Sequence, residues 1–307
     1  MALPAKPLND PAAVTLVVGD LEARFLPSFG MLGASLRHQG VEILRRLDDL
    51  EAAAAKGSTA GIPLLYPWAN RLAATRYKKA GPEVVLDPKS PLLHFDDNGL
   101  PIHGVPWSRL AWTVTDSSAA HVTARLDWSR ADLLAVFPYP HQLTLTASLH
   151  ADGLTIATTV HAGDHPVPVS FGFHPYIGLP ELPRSQWRLT LPPMRRLALD
   201  QRGIPTGEGT ASDGLDTALG ERAFDDGFAL LDEQARLSIA GAGRRISVDL
   251  LNGFQNTQVF APRDKNFIAF EPMTAPTNAL ISGEGLRLVV PEASFTAIFR
   301  ICVEAVA

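Results

Sequence analysis

The chain has 307 residues, of which 46% are hydrophobic and 19% charged, and its net charge is −5. That composition supports a folded core and excludes a disordered chain. No basic tract is interleaved with aromatics and no stretch has the length of a bilayer span, so neither a nucleic acid nor a membrane is an expected partner. The N-terminal stretch Met1–Asp20 carries one lysine and early prolines but no uninterrupted apolar centre. It does not read as a secretory signal, and a cytoplasmic location is the expectation. Along the chain, Leu47–Gly57 has good helix formers, early acidic residues and a closing glycine, which predicts one short helix. Ile62–Leu72 reads as a strand after it. Leu143, Leu145, Ala147 and Leu149 alternate with polar residues, and a second alternating run starts at Leu154. This predicts a β-hairpin turning at Asp152–Gly153. Leu237 and Ile239, then Ile246, Val248 and Leu250, predict another around Gly241–Gly243. Gly285–Ile301 reads as a last hairpin interrupted at Pro291. The 25 prolines and 24 glycines fall mostly between such runs, as expected of many strands joined by loops. No composition break marks a linker, so one large antiparallel β-domain over residues 1–307 is expected. The dibasic pairs Lys78–Lys79, Arg195–Arg196 and Arg244–Arg245 read as solvated turns or strand ends. The single cysteine, Cys302, lies in an apolar run and reads as a buried space-filler.

Two segments stand out chemically: FGFHPYIGLP at Phe171–Pro180 and FEPMTAPTNAL at Phe270–Leu280. Each holds one titratable side chain, His174 or Glu271, after an apolar run and directly before a proline. Proline interrupts a ladder and restricts the residue before it, so each side chain is expected at a strand end, facing a cleft. A histidine and a carboxylate held this way make an acid/base pair for chemistry near neutral pH. Other signals do not stand up. His161 and His165 are four apart, but VHAGDHP is a strand end and a turn, not a zinc-binding helix. Gly241–Gly243 lacks the strand–helix setting of a dinucleotide fingerprint, and no serine sits in a nucleophile elbow.

With Ile62–Leu72 (IPLLYPWANRL) and Pro101–Trp107 (PIHGVPW), these segments form an ordered pattern over nearly the whole chain that resembles the aldose 1-epimerase (galactose mutarotase) family. The resemblance implies an all-β supersandwich: two large, twisted, mainly antiparallel sheets packed face to face, with few short helices. It implies an isomerase that interconverts the anomers of an aldohexose, with no metal and no organic cofactor, as a monomer or homodimer. By the same resemblance Glu271 is the general base on the C1 hydroxyl and His174 the acid that protonates the ring oxygen. His103, Arg71 and Asp225 are the sugar-binding residues. Asp225 comes from AFDDGFALL, where Asp226 falls at a position often held by histidine in galactose mutarotases. Trp68 could face a pyranose ring or lie in the core, and Asn70 is expected to support its neighbour. The segments around His103 and after Glu271 look more like the broader bacterial group of the family, which leaves the sugar open. Arg71, Arg76, Lys78 and Lys79 cluster in sequence, so a hexose 6-phosphate is an alternative substrate. A non-catalytic sugar-binding protein is a second alternative. A glycoside hydrolase, with Asp225 as the second carboxylate beside Glu271, is a third.

Overall fold

The computed structural model describes residues 8–306, so residues 1–7 of the N-terminal stretch lie outside it. Two large antiparallel sheets dominate. The nine-stranded sheet runs in the order Leu215–Ala218, Arg188–Leu191, Ala235–Gly241, Arg244–Asn252, Ser294–Ala305, Gly153–Ala162, His141–His150, His121–Trp128, Thr113–Ser117. The eight-stranded sheet runs Pro205–Ser212, Met194–Leu199, Phe224–Leu230, Asn256–Ala261, Ile268–Met273, Gly172–Phe173, Leu64–Leu65, with Tyr176–Ile177 also paired to Ile268–Met273. Alternating residues of the two inner faces share one core. Leu145, Ile156 and Phe299 from the first sheet lie with Phe173, Val259 and Phe270 from the second, and the Phe173 and Phe299 rings meet across it at 4.9 Å. This is the supersandwich expected from the resemblance, with three short α-helices among the described residues.

The alternation at Leu143–Leu149 is the inward face of the strand His141–His150, paired in register with Gly153–Ala162. The turn, however, sits at Ala151–Asp152, one residue earlier than expected. Gly153 already belongs to the ladder, where a Cβ would stand 2.4 Å from the Ile301 carbonyl oxygen of the next strand. Its glycine serves close strand approach, not the turn. The second hairpin turns at Ala242–Gly243, both with positive φ, as a tight hairpin turn requires. The predicted last hairpin does not form. Arg287–Val289 pairs with Val167–Val169, whereas Ser294–Ala305 pairs with Gly153–Ala162 and Arg244–Asn252. Pro291 and the positive-φ Glu292 carry the chain from one pairing to the other.

The helix forms at Leu50–Lys56, capped by the Asp49 side chain on the Ala52 N–H and closed by Gly57 at φ 70°. Ile62–Leu72 is strand only at Leu64–Leu65, since Pro63 and Pro67 deny it ladder donors. Single bridges at Ile62, Tyr66, Trp68 and Arg71 hold the rest. Arg244 and Arg245 open the strand Arg244–Asn252, a strand end as expected, although Arg244 is buried and ion-paired to Glu181 and not solvated. Cys302 is buried as expected, with its Sγ 3.5 Å from an Asp249 oxygen. No helix among the described residues is long and apolar enough to cross a membrane.

Candidate active site

His174 follows the short strand Gly172–Phe173 directly, as the His–Pro pair predicts. Glu271 does not end its strand: Ile268–Met273 continues through Pro272. The neighbouring strand explains the tolerance. Gly172 pairs with Met273 and Tyr176 with Ala269, while His174 and Pro175 fill the break between them. Pro272 therefore faces an interrupted ladder on that side, where a missing N–H costs little. The same break sets the imidazole against the carboxylate. His174 Nε2 lies 3.1 Å from Glu271 Oε1, with the two residues only 4% and 2% exposed.

Strand register supplies the rest of the wall. Gln258 stands opposite Glu271, and Asp225 stands opposite Phe260, two residues along from Gln258. Period-two alternation puts all four side chains on one face. Gly227, opposite Gln258, has no side chain to block it, and Gln258 Nε2 donates to Asp225 Oδ1 at 2.6 Å. Asp226 falls on the other face and pairs with Arg196. From the loops come Arg71 and His103. Arg71 donates to Asp96 at 2.7 Å and to Asn70 Oδ1 at 2.9 Å, which fixes the fork of its guanidinium. His103 meets the His174 ring edge-on at 5.7 Å. Its neighbour Gly104 has φ 66°, and a Cβ there would lie 2.3 Å from the Tyr66 carbonyl oxygen, so only glycine lets the two segments touch.

These side chains line one cavity of about 150 Å³, together with Arg46, Thr59, Ile102, Tyr176 and Phe260. All five expected site residues thus meet in one place. Trp68, in contrast, is fully buried and offers no face to a sugar. Arg76 is exposed and tied to Glu83, so the basic cluster of the sequence does not converge on the cavity. Arg46, Thr59 and Gln258 carry no motif signal. Tyr176 lies inside the segment Phe171–Pro180, but nothing in its spacing marks it as a site residue. Three of the lining residues hold the left-handed backbone region: Arg46 at φ 62°, Asn70 at 54° and His103 at 63°.

Burial dominates the electrostatics. It pushes the Glu271 carboxyl well up, helped by the nearby Asp225, and pushes His174 well down, helped by His103 and Arg46. Burial also takes His103 down to about 3. Both shifts act in the same sense on the pair's one shared proton, toward the Glu271 carboxyl and away from the His174 imidazole. Three buried atoms facing this arrangement have no partner: Glu271 Oε2, His174 Nδ1 and His103 Nδ1. Unsatisfied buried groups are costly, and these three atoms are placed to bond a polar ligand.

In this supersandwich a buried histidine–carboxylate pair is ringed by arginine and amide donors and an aspartate acceptor, a pocket suited to proton transfer on a small polyhydroxylated ligand. The family model for aldose 1-epimerase matches residues 30–301, and the chain belongs to that family. Solved structures agree on the fold. A protein from Synechocystis sp. PCC 6803 is 25% identical, with 99% of this chain and 98% of that one covered at a TM-score of 0.78. A galactose mutarotase-like protein from Clostridium acetobutylicum is 21% identical over 96% and 95%, at 0.83. A galactose 1-epimerase from Lactobacillus acidophilus NCFM is 15% identical over 95% and 94%, at 0.76. No curated protein matches the chain.

Proposed function

We propose that this protein is an aldose 1-epimerase that interconverts the α and β anomers of an aldohexose through the open-chain aldehyde. The observation that carries the reading is the His174–Glu271 pair, 3.1 Å apart on the buried side of a cavity lined by hydroxyl-binding groups. Glu271 takes the proton from the C1 hydroxyl while His174 gives one to the ring oxygen. The C1–O5 bond breaks as the C1=O1 bond forms. Rotation about C1–C2 presents the other face of the aldehyde; as the ring closes, Glu271 returns its proton to O1 and His174 takes one back from O5. No proton is gained or lost over the cycle, and the chemistry asks for no cofactor.

The direction of the two shifts supports this assignment. With a cyclic sugar bound and ready, the pair must be carboxylate and imidazolium. At the open-chain stage it is carboxylic acid and neutral imidazole. Burial acts in the direction of the second state. An environment that favours the proton distribution reached after ring opening lowers the barrier toward it. Arg71, Asp225, Gln258 and His103 are then the hydroxyl-reading groups, since a fixed guanidinium fork and a carboxylate together suit vicinal diols.

A second reading, an anionic hexose such as a 6-phosphate, is favoured by Arg46 at the cavity wall. An adjoining groove shares Arg46 and Phe260 with the cavity and adds Arg45 and Lys265. It also holds Asp48 and Asp264, the latter paired with Lys265 at 2.9 Å, so Arg46 and Arg45 are the cations it offers an anion. Anomer exchange followed by NMR for glucose, galactose and glucose 6-phosphate tests both. Catalysed exchange of the neutral hexoses is expected. A preference of about a hundredfold for the phosphate ester, or about 2.7 kcal/mol, would replace the neutral-sugar reading. Exchange at the spontaneous rate with every aldose would leave a sugar-binding protein.

A further inference from the structure

Arg46 is an exposed residue with a left-handed backbone, yet it is tied into the buried site. Its Nη1 donates to the Tyr176 hydroxyl at 2.8 Å, and its guanidinium carbon lies 5.2 Å from the Tyr176 ring centre. Thr59 Oγ1 shares the same hydroxyl at 2.6 Å, and His174 Nε2 lies 3.2 Å from it. The Tyr176 ring in turn stacks on His174, with centres 4.2 Å apart and planes 17° from parallel. Arg46, Tyr176, His174 and Glu271 thus form a row, with the cation at one end and the carboxyl at the other. A guanidinium stays charged at any working pH and only donates. Moving the shared proton from Glu271 to His174 would bring positive charge toward Arg46.

We propose that Arg46, acting through Tyr176, is a positioning residue that keeps the shared proton of the pair on Glu271 and the His174 ring turned toward it. The mutarotase reading supplies the catalytic consequence, but the proton placement does not depend on it. The groups facing His174 are Glu271, Tyr176, His103 and Arg46. Arg71 and Asp225 act on Glu271, and His94 acts on His103. Of these, Arg46 is anchored to the plate that His174 stacks on. Its charge disfavours the imidazolium of His174.

Two measurements test the proposal. The first is the imidazole titration of His174 in ligand-free protein carrying isotope-labelled histidine, which needs no activity. Arg46→Met should raise the acid-side midpoint by about one pH unit, and Arg46→Lys should restore much of it. Tyr176→Phe removes both the anchor of Arg46 and the hydroxyl beside His174 Nε2, so adding Arg46→Met to it should move the midpoint little further. An unmoved midpoint in Arg46→Met, or additive shifts in the double variant, would overturn the proposal. The second is the split between kcat and KM. Losing the cation stabilises the imidazolium–carboxylate state that holds the cyclic sugar, so kcat and KM should both fall, kcat by about tenfold. A raised KM with kcat unchanged would instead make Arg46 a plain sugar contact. A wild type with no exchange activity but the expected titrations would sink the mutarotase reading and leave this one standing.

Discussion

His141 offers a quantitative check on how this fold holds histidines neutral. It is 7% exposed at the start of the strand His141–His150. Its Nδ1–H donates to the Tyr139 carbonyl, which leaves Nε2 to accept from the Tyr66 hydroxyl. Burial takes its pKa from 6.5 to about 4, against a smaller upward pull from that carbonyl. Between those two values the unfolded chain binds the proton and the folded chain does not. Stability from this residue is therefore present above pH 6.5 and lost as pH falls toward 4. A gap of about 2.5 pH units corresponds to about 3.4 kcal/mol in full, of which roughly 2.4 kcal/mol is gone between pH 7 and pH 4.5. With a urea slope of about 3 kcal/mol per M, that moves the unfolding midpoint by about 0.8 M. His141→Gln keeps a donor and an acceptor but cannot titrate. Urea midpoints at the two pH values should fall about 0.8 M further in wild type than in the variant. Other buried histidines act alike in both proteins and cancel in the comparison. Equal falls would show that His141 is protonated in the native state, and the argument from burial would fail.

Glu271→Gln and His174→Asn should each lower kcat by roughly two to four orders of magnitude with little change in KM, as read by anomer exchange. Arg71→Ala and Asp225→Asn should mainly raise KM, because neither group exchanges a proton with the sugar. Gly104→Ala should cost at least about 2 kcal/mol in thermal unfolding, since the residue combines positive φ with a backbone contact that excludes a Cβ. A variant that melted like wild type would mean that the Tyr66 and Gly104 segments are not held as described.

Much of this architecture is written in the chain as short-range pattern. Period two marks the hairpin at 141–162 because one face of each strand is buried for its full length. Glu271 and His174 are legible because each stands in a distinctive segment. The Glu–Pro pair, however, misleads about the strand end. Whether a proline stops a ladder depends on whether a neighbour is there to be bonded, and here that neighbour is broken at His174–Pro175. Gln258 was illegible for a related reason. It becomes part of the wall only through pairing with Glu271 on one strand and Gly227 on another. Arg46 reaches the site through a tyrosine 130 positions away, and no local spacing announces that contact. The missing final hairpin has the same origin, because two adjacent alternating runs need not pair with each other.

The left-handed backbones of Arg46, His103 and, at smaller cost, Asn70 carry an evolutionary consequence. Each non-glycine residue in that region gives up on the order of 1 kcal/mol that glycine would not. Random mutagenesis screened for heat resistance alone should therefore enrich glycine at positions 46 and 103, and the survivors would have lost an arginine or a histidine from the cavity wall. Selection for durability and selection for turnover pull these positions in opposite directions. A lineage that keeps both side chains is being held there by its chemistry.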